Sequence, residues 1–187
     1  MKLTIAIPIY VSDVLHCEFT EQTVRTIATK HEYKIVLINN FCKPEFIPRI
    51  KVLAPMIYSK ENNVSAAWNL GIKEGIDNKS DYIFIPNNDL LFSPSCLDNL
   101  VEFAEKHQEY SFWSGGGQAA DLRKLTETKP NDVFDEHPNF SCFMVSPKTI
   151  STLYEKEKGT KEPYPGYFDE TLKPAYFEDQ DFHQRLL

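Results

Sequence analysis

The chain has 187 residues, enough to bury the core of one domain, and its 42% hydrophobic and 25% charged residues are typical of a folded globular protein. A formal net charge of −7 argues against broad nucleic-acid binding, although an acidic pocket can bind a diphosphate through a divalent cation. The four cysteines are widely spaced without a CxxC pair, and we expect them to be reduced thiols in a cytoplasmic protein.

Neither a secretion signal nor a membrane-spanning segment is visible in the sequence. The N-terminus carries one lysine before a short strand-like run, and no apolar stretch approaches the roughly 20 residues that cross a bilayer. We therefore expect any membrane contact to be peripheral.

Apolar and amphipathic segments alternate over the first half of the chain. The predicted strands are Lys2–Tyr10, ending near Pro8, then Tyr33–Ile38, a weaker strand at Lys51–Ile57, and Asp81–Pro86. The predicted helices are Glu18–Lys30 and Ser65–Gly75. Strands that alternate with helices predict an α/β fold with a largely parallel sheet.

The second half is less regular. We predict a helix at Leu97–His107, a flexible break at Ser114–Gly117, a long loop at Ala119–Pro138, a strand at Phe140–Val145 and a helix toward the end of Tyr176–Leu187. The candidate linker, residues 115–138, fits a substrate-covering loop better than a domain boundary. We therefore expect one domain.

Polar residues follow two of the predicted strands. Asn39-Asn40 come after the second strand and Asn87-Asn88-Asp89 after the fourth, and ligands of parallel α/β sheets bind at such strand ends. A carboxylate with amide neighbours suits Mg²⁺ or Mn²⁺, which take further oxygens from water and phosphates. Taken alone, the tripeptide is more often an ordinary turn than a metal site.

A second group of candidates is the acidic run Glu178, Asp179 and Asp181. Carboxylates at a helix start commonly complement the helix dipole, and that interpretation alone is sufficient about half the time. The alternative is that crowded carboxylates raise one another's pKa and leave one of them as a general base. The aromatic neighbours Tyr176, Phe177 and Phe182 would lower the local dielectric constant.

The remaining motifs exclude more than they identify. The segment 61–71 places small residues at a helix start, where Trp68 is more often a packing residue than a base stacker. No P-loop, GxGxxG or GxSxG pattern occurs, which argues against kinases, dehydrogenases and α/β-hydrolases.

Six segments in this order resemble glycosyltransferase family 2, whose members are inverting enzymes with the GT-A fold. The segments are TIAIPIY, KIVLINN, NNVSAAWNLGI, IFIPNNDLLF, FSCFMVSPKTI and GYFDETLKPAYFEDQDFHQRL. The resemblance runs over nearly the whole chain. It implies a Rossmann-like, mixed but mostly parallel sheet flanked by helices, with a nucleotide-sugar-binding half at 1–92 and an acceptor-binding half at 93–187.

The resemblance also implies a role for each matching residue. Asp89 matches the aspartate that binds Mn²⁺ or Mg²⁺, while Asp179 matches the general base and Glu178 its usual companion. The residues implied for nucleotide-sugar binding are Pro8, Tyr10, Asn39, Asn69, Asn87 and Asn88, with Ile7 on the same strand. The expected donor is a nucleotide-diphospho-sugar, with UDP favoured and dTDP or GDP open, and the expected acceptor is a saccharide or another hydroxyl compound.

Three departures from the family pattern keep an alternative open. Asn39 stands where an aspartate usually accepts from uracil, and Asn63 stands where a glycine is common, as if in a left-handed turn. The chain also ends at Leu187, shortly after Asp179. The alternative is a degenerate protein that binds a nucleotide sugar without turning it over, and a nucleotidyltransferase on a related fold is a more distant rival.

Overall fold

The computed structural model describes residues 1–115 and 139–187, and these residues form a six-stranded sheet in the order β3-β2-β1-β4-β6-β5. The strands are β1 (Lys2–Val11), β2 (Glu32–Cys42), β3 (Met56–Tyr58), β4 (Tyr82–Pro86), β5 (Phe112–Ser114) and β6 (Cys142–Val145). Strands β1 to β4 are parallel, while β6 runs antiparallel to both β4 and β5. The predicted α/β class with a mixed, mostly parallel sheet is confirmed.

Helices cover both faces of the sheet. They are α1 (Val14–Thr26), α2 (Ile47–Lys51), α3 (Val64–Asp77), α4 (Cys96–Lys106), α5 (Pro147–Glu157) and α6 (Glu178–Leu186), with a 3₁₀ turn at Pro44–Phe46. Buried side chains of α1 and α4 share one apolar cluster, and those of α3, α5 and α6 share the other. Both halves of the chain therefore contribute to one sheet and to the layers around it.

The two clusters follow from the alternation of side chains along the central strand β1. Ile5, Ile7 and Ile9 point to the face covered by α1 and α4, while Ala6 points to the face covered by α3. Helix α3 lies very close to the sheet at Gly75, where an added Cβ would stand 2.3 Å from Cγ1 of Ile83. The start of α3 lies beside the end of β2, where the N–H of its cap residue Asn63 donates to Asn40 at 2.8 Å.

Strand β1 passes through Pro8 and continues to Val11, so the predicted end near Pro8 is wrong. The ladder between β1 and β4 stops at Ile5, and beyond it the pairing with β2 continues to Val11. A proline, which lacks an N–H, is tolerated where a strand has a neighbour on one side only.

Asn39 and Asn40 lie within β2 rather than after it, which corrects a second predicted boundary. The pairing of Ile9 with Asn39 is followed by that of Tyr10 with Phe41, so Asn40 is the extra residue of a bulge. A bulge turns the local side chains. The side-chain oxygen of Asn40 accepts a hydrogen bond from the backbone N–H of Asn63 at 2.8 Å.

Helix α1 begins four residues earlier than predicted because Asp13 caps it, its side chain accepting from the N–H of His16 at 3.0 Å. The predicted strand at Lys51–Ile57 is also wrong over most of its length, since α2 ends at Lys51 and β3 begins at Met56. The predicted segment contains the last residue of α2, a turn and the start of β3, and hydrophobic periodicity does not separate these elements.

In the second half, the strand predicted at Phe140–Val145 is confirmed as β6 and the final helix as α6. Strand β5 and helix α5 were not predicted. Ser114 belongs to β5 instead of a flexible break, and the predicted loop Ala119–Pro138 lies outside the described residues. Within the described part of the chain, no helix combines the length and the apolar character needed to span a bilayer.

Candidate functional site

The polar residues at the carboxyl ends of the parallel strands lie together at one edge of the sheet. The loop after β4 begins at Asn87, whose backbone N–H donates to the carbonyl of Ser141 at 2.8 Å. The amide of Asn88 donates to the carbonyl of Tyr10 at 3.4 Å, which joins this loop to the end of β1. The predicted site residues of the first half therefore surround one edge, as expected for a parallel α/β sheet.

The backbone around Asp89 is held from helix α1 by two buried threonines. Thr20 Oγ1 accepts from the Asn88 amide at 2.8 Å, while Thr23 Oγ1 donates to the carbonyl of Leu90 at 2.9 Å and accepts from its N–H at 3.1 Å. The side chain of Asn88 is therefore an anchor of the loop. Asp89, between the two anchored residues, is exposed.

Asp89 fits one kind of metal site and not another. Over residues 1–115 and 139–187, no group of three His, Cys, Asp or Glu side chains is placed to hold a metal ion. A closed site made of protein ligands is thus missing from that part of the chain. A single exposed carboxylate does fit a cation that arrives with a diphosphate, because Mg²⁺ commonly takes one or two carboxylates and completes its shell with water and phosphate oxygens.

Aromatic side chains flank the ends of β1 and β2. The Tyr10 and Phe41 rings stack with centroids 5.0 Å apart and an interplanar angle of 28°, and the His16 ring meets Tyr10 edge-on at 5.8 Å. Tyr10 remains 43% exposed, so it offers an aromatic surface for a planar ring. Close by, Asp13 accepts the His16 backbone N–H, which keeps the pKa of that carboxyl below its usual value.

The other residues expected near a nucleotide differ in what they can contact. Asn39 is 7% exposed, and its carbonyl accepts from the N–H of Ser59 at 3.0 Å. Pro8 is partly exposed, whereas Ile7 is fully buried in the core. Ile7 thus has a packing role, which corrects its placement against the base.

Glu178 and Asp179 open helix α6 in different environments. Glu178 is 6% exposed, and among the described residues its Oε2 has no hydrogen-bond partner. Burial is the main cause that raises the pKa of the Glu178 carboxyl, and the charge of Asp179 adds a smaller effect. Asp179 is partly exposed, and its Oδ1 accepts from the N–H of Gln180 at 2.8 Å.

The expected crowding of three carboxylates is only partly correct. Asp181 is held by Arg185, whose Nε donates to Oδ2 at 2.9 Å, so it belongs to a separate ion pair. Of the three aromatic neighbours, only Phe182 is buried, while Tyr176 and Phe177 are exposed. The low dielectric constant around Glu178 therefore comes from the core beneath it and not from Tyr176 and Phe177.

One cleft brings the two groups of candidates together. It has a volume of about 390 Å³ and is lined by Val64, Trp68, Asn87, Asn139, Phe140, Ser141, Glu178 and Asp179. Trp68, 5% exposed, packs against Phe143 and Phe168, so it is mainly a core residue, as the sequence favoured. The strand-end loop of Asn87 and the carboxylates of α6 thus face the same space.

The segment before α6 is fastened to the start of helix α3. The Asn69 amide donates to the Phe168 carbonyl and to Glu170 Oε1, each at 2.9 Å, and its oxygen accepts from the Phe168 N–H at 2.9 Å. Asn63 Nδ2 donates to the Glu170 carbonyl at 2.8 Å, and the Val64 N–H to that of Pro174 at 3.1 Å. We call residues 166–177 the strap, and it leads directly into Glu178.

These contacts revise two expectations. Asn69 is 1% exposed and both ends of its amide bind the strap, so any effect on a nucleotide sugar would be indirect. Asn63 has φ −150° instead of a left-handed backbone, and its side chain caps α3 by accepting from the Ala66 N–H at 3.2 Å. An asparagine before a helix is a cap signal that could have been read from the sequence.

Arg185 holds the other end of α6. Its guanidinium donates to both oxygens of buried Glu157 at 3.0 and 3.1 Å and to the Tyr167 carbonyl at 2.6 Å, and it lies over the Phe182 ring. Helix α6 is thereby tied to α5 and to the strap. Motifs and periodicity do not single out Arg185, Thr20 or Thr23, because each acts through a partner that is distant in sequence.

No family model and no curated protein matches the sequence, but solved structures match the fold. S. aureus TarS 1–349 has a TM-score of 0.60 at 13% identity, over 100% of this chain and 55% of that one. The mannosyltransferase PcManGT from Pyrobaculum calidifontis, in complex with GDP-Man and Mn²⁺, has a TM-score of 0.61 at 12% identity, over 92% and 48%. This chain therefore spans about half of those two chains.

A third match is a synthase. The 4-diphosphocytidyl-2C-methyl-D-erythritol synthase from Anaerococcus prevotii has a TM-score of 0.52 at 14% identity, over 98% of this chain and 84% of that one. Likeness at such low identity establishes the fold alone. The chain shares the fold of TarS and of the mannosyltransferase, which is the GT-A fold that its resemblance to glycosyltransferase family 2 implied.

Proposed function

We propose that this chain is an inverting glycosyltransferase, which moves a sugar from a nucleotide-diphospho-sugar to a hydroxyl group with the help of Mn²⁺ or Mg²⁺. The observation that carries the proposal is the cleft shared by the Asn87 loop, next to Asp89, and by Glu178 and Asp179. A displacement at an anomeric carbon needs a stabilised leaving group on one side and a base on the other. The two walls of this cleft supply candidates for both.

On the donor side, Tyr10 and Asn39 would contact the nucleobase and Asn87 the ribose. Asp89 would hold the divalent cation, which supplies positive charge to the leaving diphosphate. Asn88 would act indirectly, since its amide anchors the loop to α1. TarS has been solved with UDP and with UDP-GlcNAc, and the mannosyltransferase with GDP-Man, so UDP and GDP sugars are the first donors to test.

On the acceptor side, Asp179 would accept the proton of the attacking hydroxyl. The oxygen of that hydroxyl forms a bond to the anomeric carbon while the bond from this carbon to the diphosphate oxygen breaks, and the diphosphate leaves with the electron pair. No residue becomes glycosylated, so the configuration inverts. Glu178, buried beside Asp179, would form a hydrogen bond in the cleft, and burial raises the pKa of its carboxyl.

Two substitutions separate the donor role from the base role. We expect Asp89→Ala to abolish the Mn²⁺-dependent part of UDP-sugar or GDP-sugar binding in a calorimetric titration. Asp179→Asn should bind the donor as the unchanged chain does and lose transfer by about 100-fold or more, the usual contribution of a general base. Asp77→Asn, an exposed carboxylate at the far end of α3, is the matched control.

The outcomes also test the rivals. Normal turnover by Asp179→Asn would refute the assignment of the base. Tight donor binding without hydrolysis or transfer, for every donor and acceptor offered, would favour the degenerate binding protein. Release of pyrophosphate from a nucleoside triphosphate would instead favour a nucleotidyltransferase, whose fold this chain also resembles.

A further inference from the structure

The two aromatic side chains beside the candidate base Asp179 are more exposed to solvent than the other aromatic side chains in the described part of the chain. Tyr176 is 78% exposed and Phe177 66%, while the other exposed aromatic residues in the described part of the chain reach at most 54%. A phenylalanine gains nothing from water at this position. Exposed aromatic surface next to a cleft is characteristic of a binding site.

The backbone holds these rings outward at a cost. Tyr176 has φ 88° and Phe177 φ 71°, a left-handed conformation that is unusual for side chains larger than asparagine. Glycine would adopt the same conformation without strain. The positions therefore carry large rings although the chain geometry favours residues without a side chain.

The rings border a hollow of about 360 Å³ that they share with Glu178, Asp179 and Gln180. Glu178 and Asp179 also line the cleft that contains Asn87, so the hollow and the cleft adjoin at these two carboxylates. Glu178 contributes an independent sign of a missing partner, because its buried Oε2 has no hydrogen-bond partner among the described residues. A buried carboxyl oxygen of this kind is normally satisfied, and a ligand hydroxyl could satisfy it.

We propose that Tyr176 and Phe177 form a platform for the acceptor, and that this acceptor is an uncharged pyranose ring. The C–H bonds on one face of a pyranose are weakly positive and match the negative face of an aromatic ring. The hydroxyl groups at the edge of the sugar would reach the carboxylates and the amide of Gln180. The proposal depends on the glycosyltransferase function proposed above.

The negative charge at the hollow favours an uncharged acceptor over an anionic one. Glu178 and Asp179 border the hollow, while Arg185 is engaged by Glu157 and Asp181, and Lys173 by Glu61. The two cations nearest in sequence are therefore paired with carboxylates. A phosphorylated or uronic-acid acceptor would be repelled, and a flexible polyol would lack the rigid C–H face.

The test is acceptor binding by the full chain in the presence of UDP and diamagnetic Mg²⁺, measured by saturation-transfer NMR. The probes are methyl pyranosides of glucose, galactose and N-acetylglucosamine, with ribitol and glucuronic acid as comparison compounds. We expect saturation of the pyranoside ring protons, and roughly tenfold weaker binding for Tyr176→Ala and for Phe177→Ala. Tyr154→Ala, which removes an exposed ring on α5, is the matched control and should bind as the unchanged chain does.

Glycine variants exclude a purely structural explanation. Tyr176→Gly and Phe177→Gly relieve the left-handed backbone, so their Tm should be unchanged or higher while the acceptor KM rises about tenfold. Donor hydrolysis should stay normal in the control variant Tyr154→Ala. Unchanged acceptor KM in both glycine variants, or preferred use of ribitol or glucuronic acid, would overturn the platform. Absence of both donor hydrolysis and transfer by the unchanged chain would overturn the proposed function itself.

Discussion

Replacing Asn69 by alanine tests whether this residue binds the donor or holds the strap. The substitution removes three hydrogen bonds of 2.9 Å, two of which are the partners of the N–H and C=O of Phe168. Phe168 is fully buried, so water does not replace the lost partners. The structure therefore predicts a loss of stability, with any change in donor binding secondary to it.

The magnitude follows from the number of orphaned groups. Each buried backbone group left without a partner costs about 1–3 kcal/mol, so the loss of two such partners in Asn69→Ala should lower the free energy of unfolding by about 2–6 kcal/mol. For a chain of this size, that corresponds to a decrease in Tm of roughly 5–15 °C. Asn69→Asp should be no less harmful, because a carboxylate would face the Phe168 carbonyl and Glu170 Oε1.

The assay is urea unfolding, with the slope m compared between variants so that a change of midpoint reports stability. Asn99→Ala in α4 is the control, since the Asn99 amide makes a single bond of 3.3 Å to Ser95 and should change stability by less than about 0.5 kcal/mol. The reasoning is refuted if Asn69→Ala unfolds at the normal urea concentration but has a raised donor KM. That pair of results would return Asn69 to the nucleotide-sugar site.

Two further substitutions test the packing of α3 and the ionisation of Glu178. In Gly75→Ala the added Cβ would lie 2.3 Å from Ile83, and this overlap should cost about 1–3 kcal/mol of stability, offset by about 1 kcal/mol from the better helix propensity of alanine. In denaturant unfolding, the double variant Gly75→Ala with Ile83→Ala should lose less stability than the two single variants together. Burial raises the pKa of Glu178, so its protonated form stabilises the fold below the unfolded pKa, and this contribution is lost as pH rises through the folded pKa. Glu178→Gln should therefore gain more stability relative to the unchanged chain at pH 8 than at pH 4, and an equal difference at both pH values would contradict the burial argument.

The strands were the most predictable part of the fold because their signal is local. β1, β2 and β4 are short apolar runs rich in β-branched residues, and the sheet buries them on both faces. Their ends were less predictable. Pro8 and Asn39-Asn40 look like breaks in the sequence, yet pairing with the neighbouring strand carries each segment beyond them.

Helix α1 shows why polar anchors escape a periodicity argument. Its buried residues are Cys17, Thr20 and Thr23, two of which are polar and would be assigned to the solvent face. They are buried because their hydroxyl groups bind the loop on either side of Asp89. The need for Thr20 and Thr23 becomes visible only when the partner loop, far away in sequence, is in place.

The meeting of the two halves of the site depends on the antiparallel strand β6. This strand pairs with β4, with Pro86 opposite Cys142, and the N–H of Asn87 continues the contact by donating to Ser141. Alternating strands and helices predict parallel neighbours, so periodicity alone places no antiparallel strand next to β4. The resemblance to a known family implies the roles that we propose for Asp89 and Asp179, but not the contacts that bring their segments to one cleft.

The position of Asp179 is fixed by groups that lie outside the cleft. Before the strap enters α6, its residue Phe168 is bound by Asn69. The other end of α6 is held by the contact between Arg185 and Glu157. A buried ion pair of this kind contributes little net stability compared with an apolar pair, but it allows one arrangement of charges and so fixes the helix. Tyr176 and Phe177, both with a left-handed backbone, lie in the chain between these two anchors. The same contacts that place Asp179 in the cleft therefore also hold the two rings beside it.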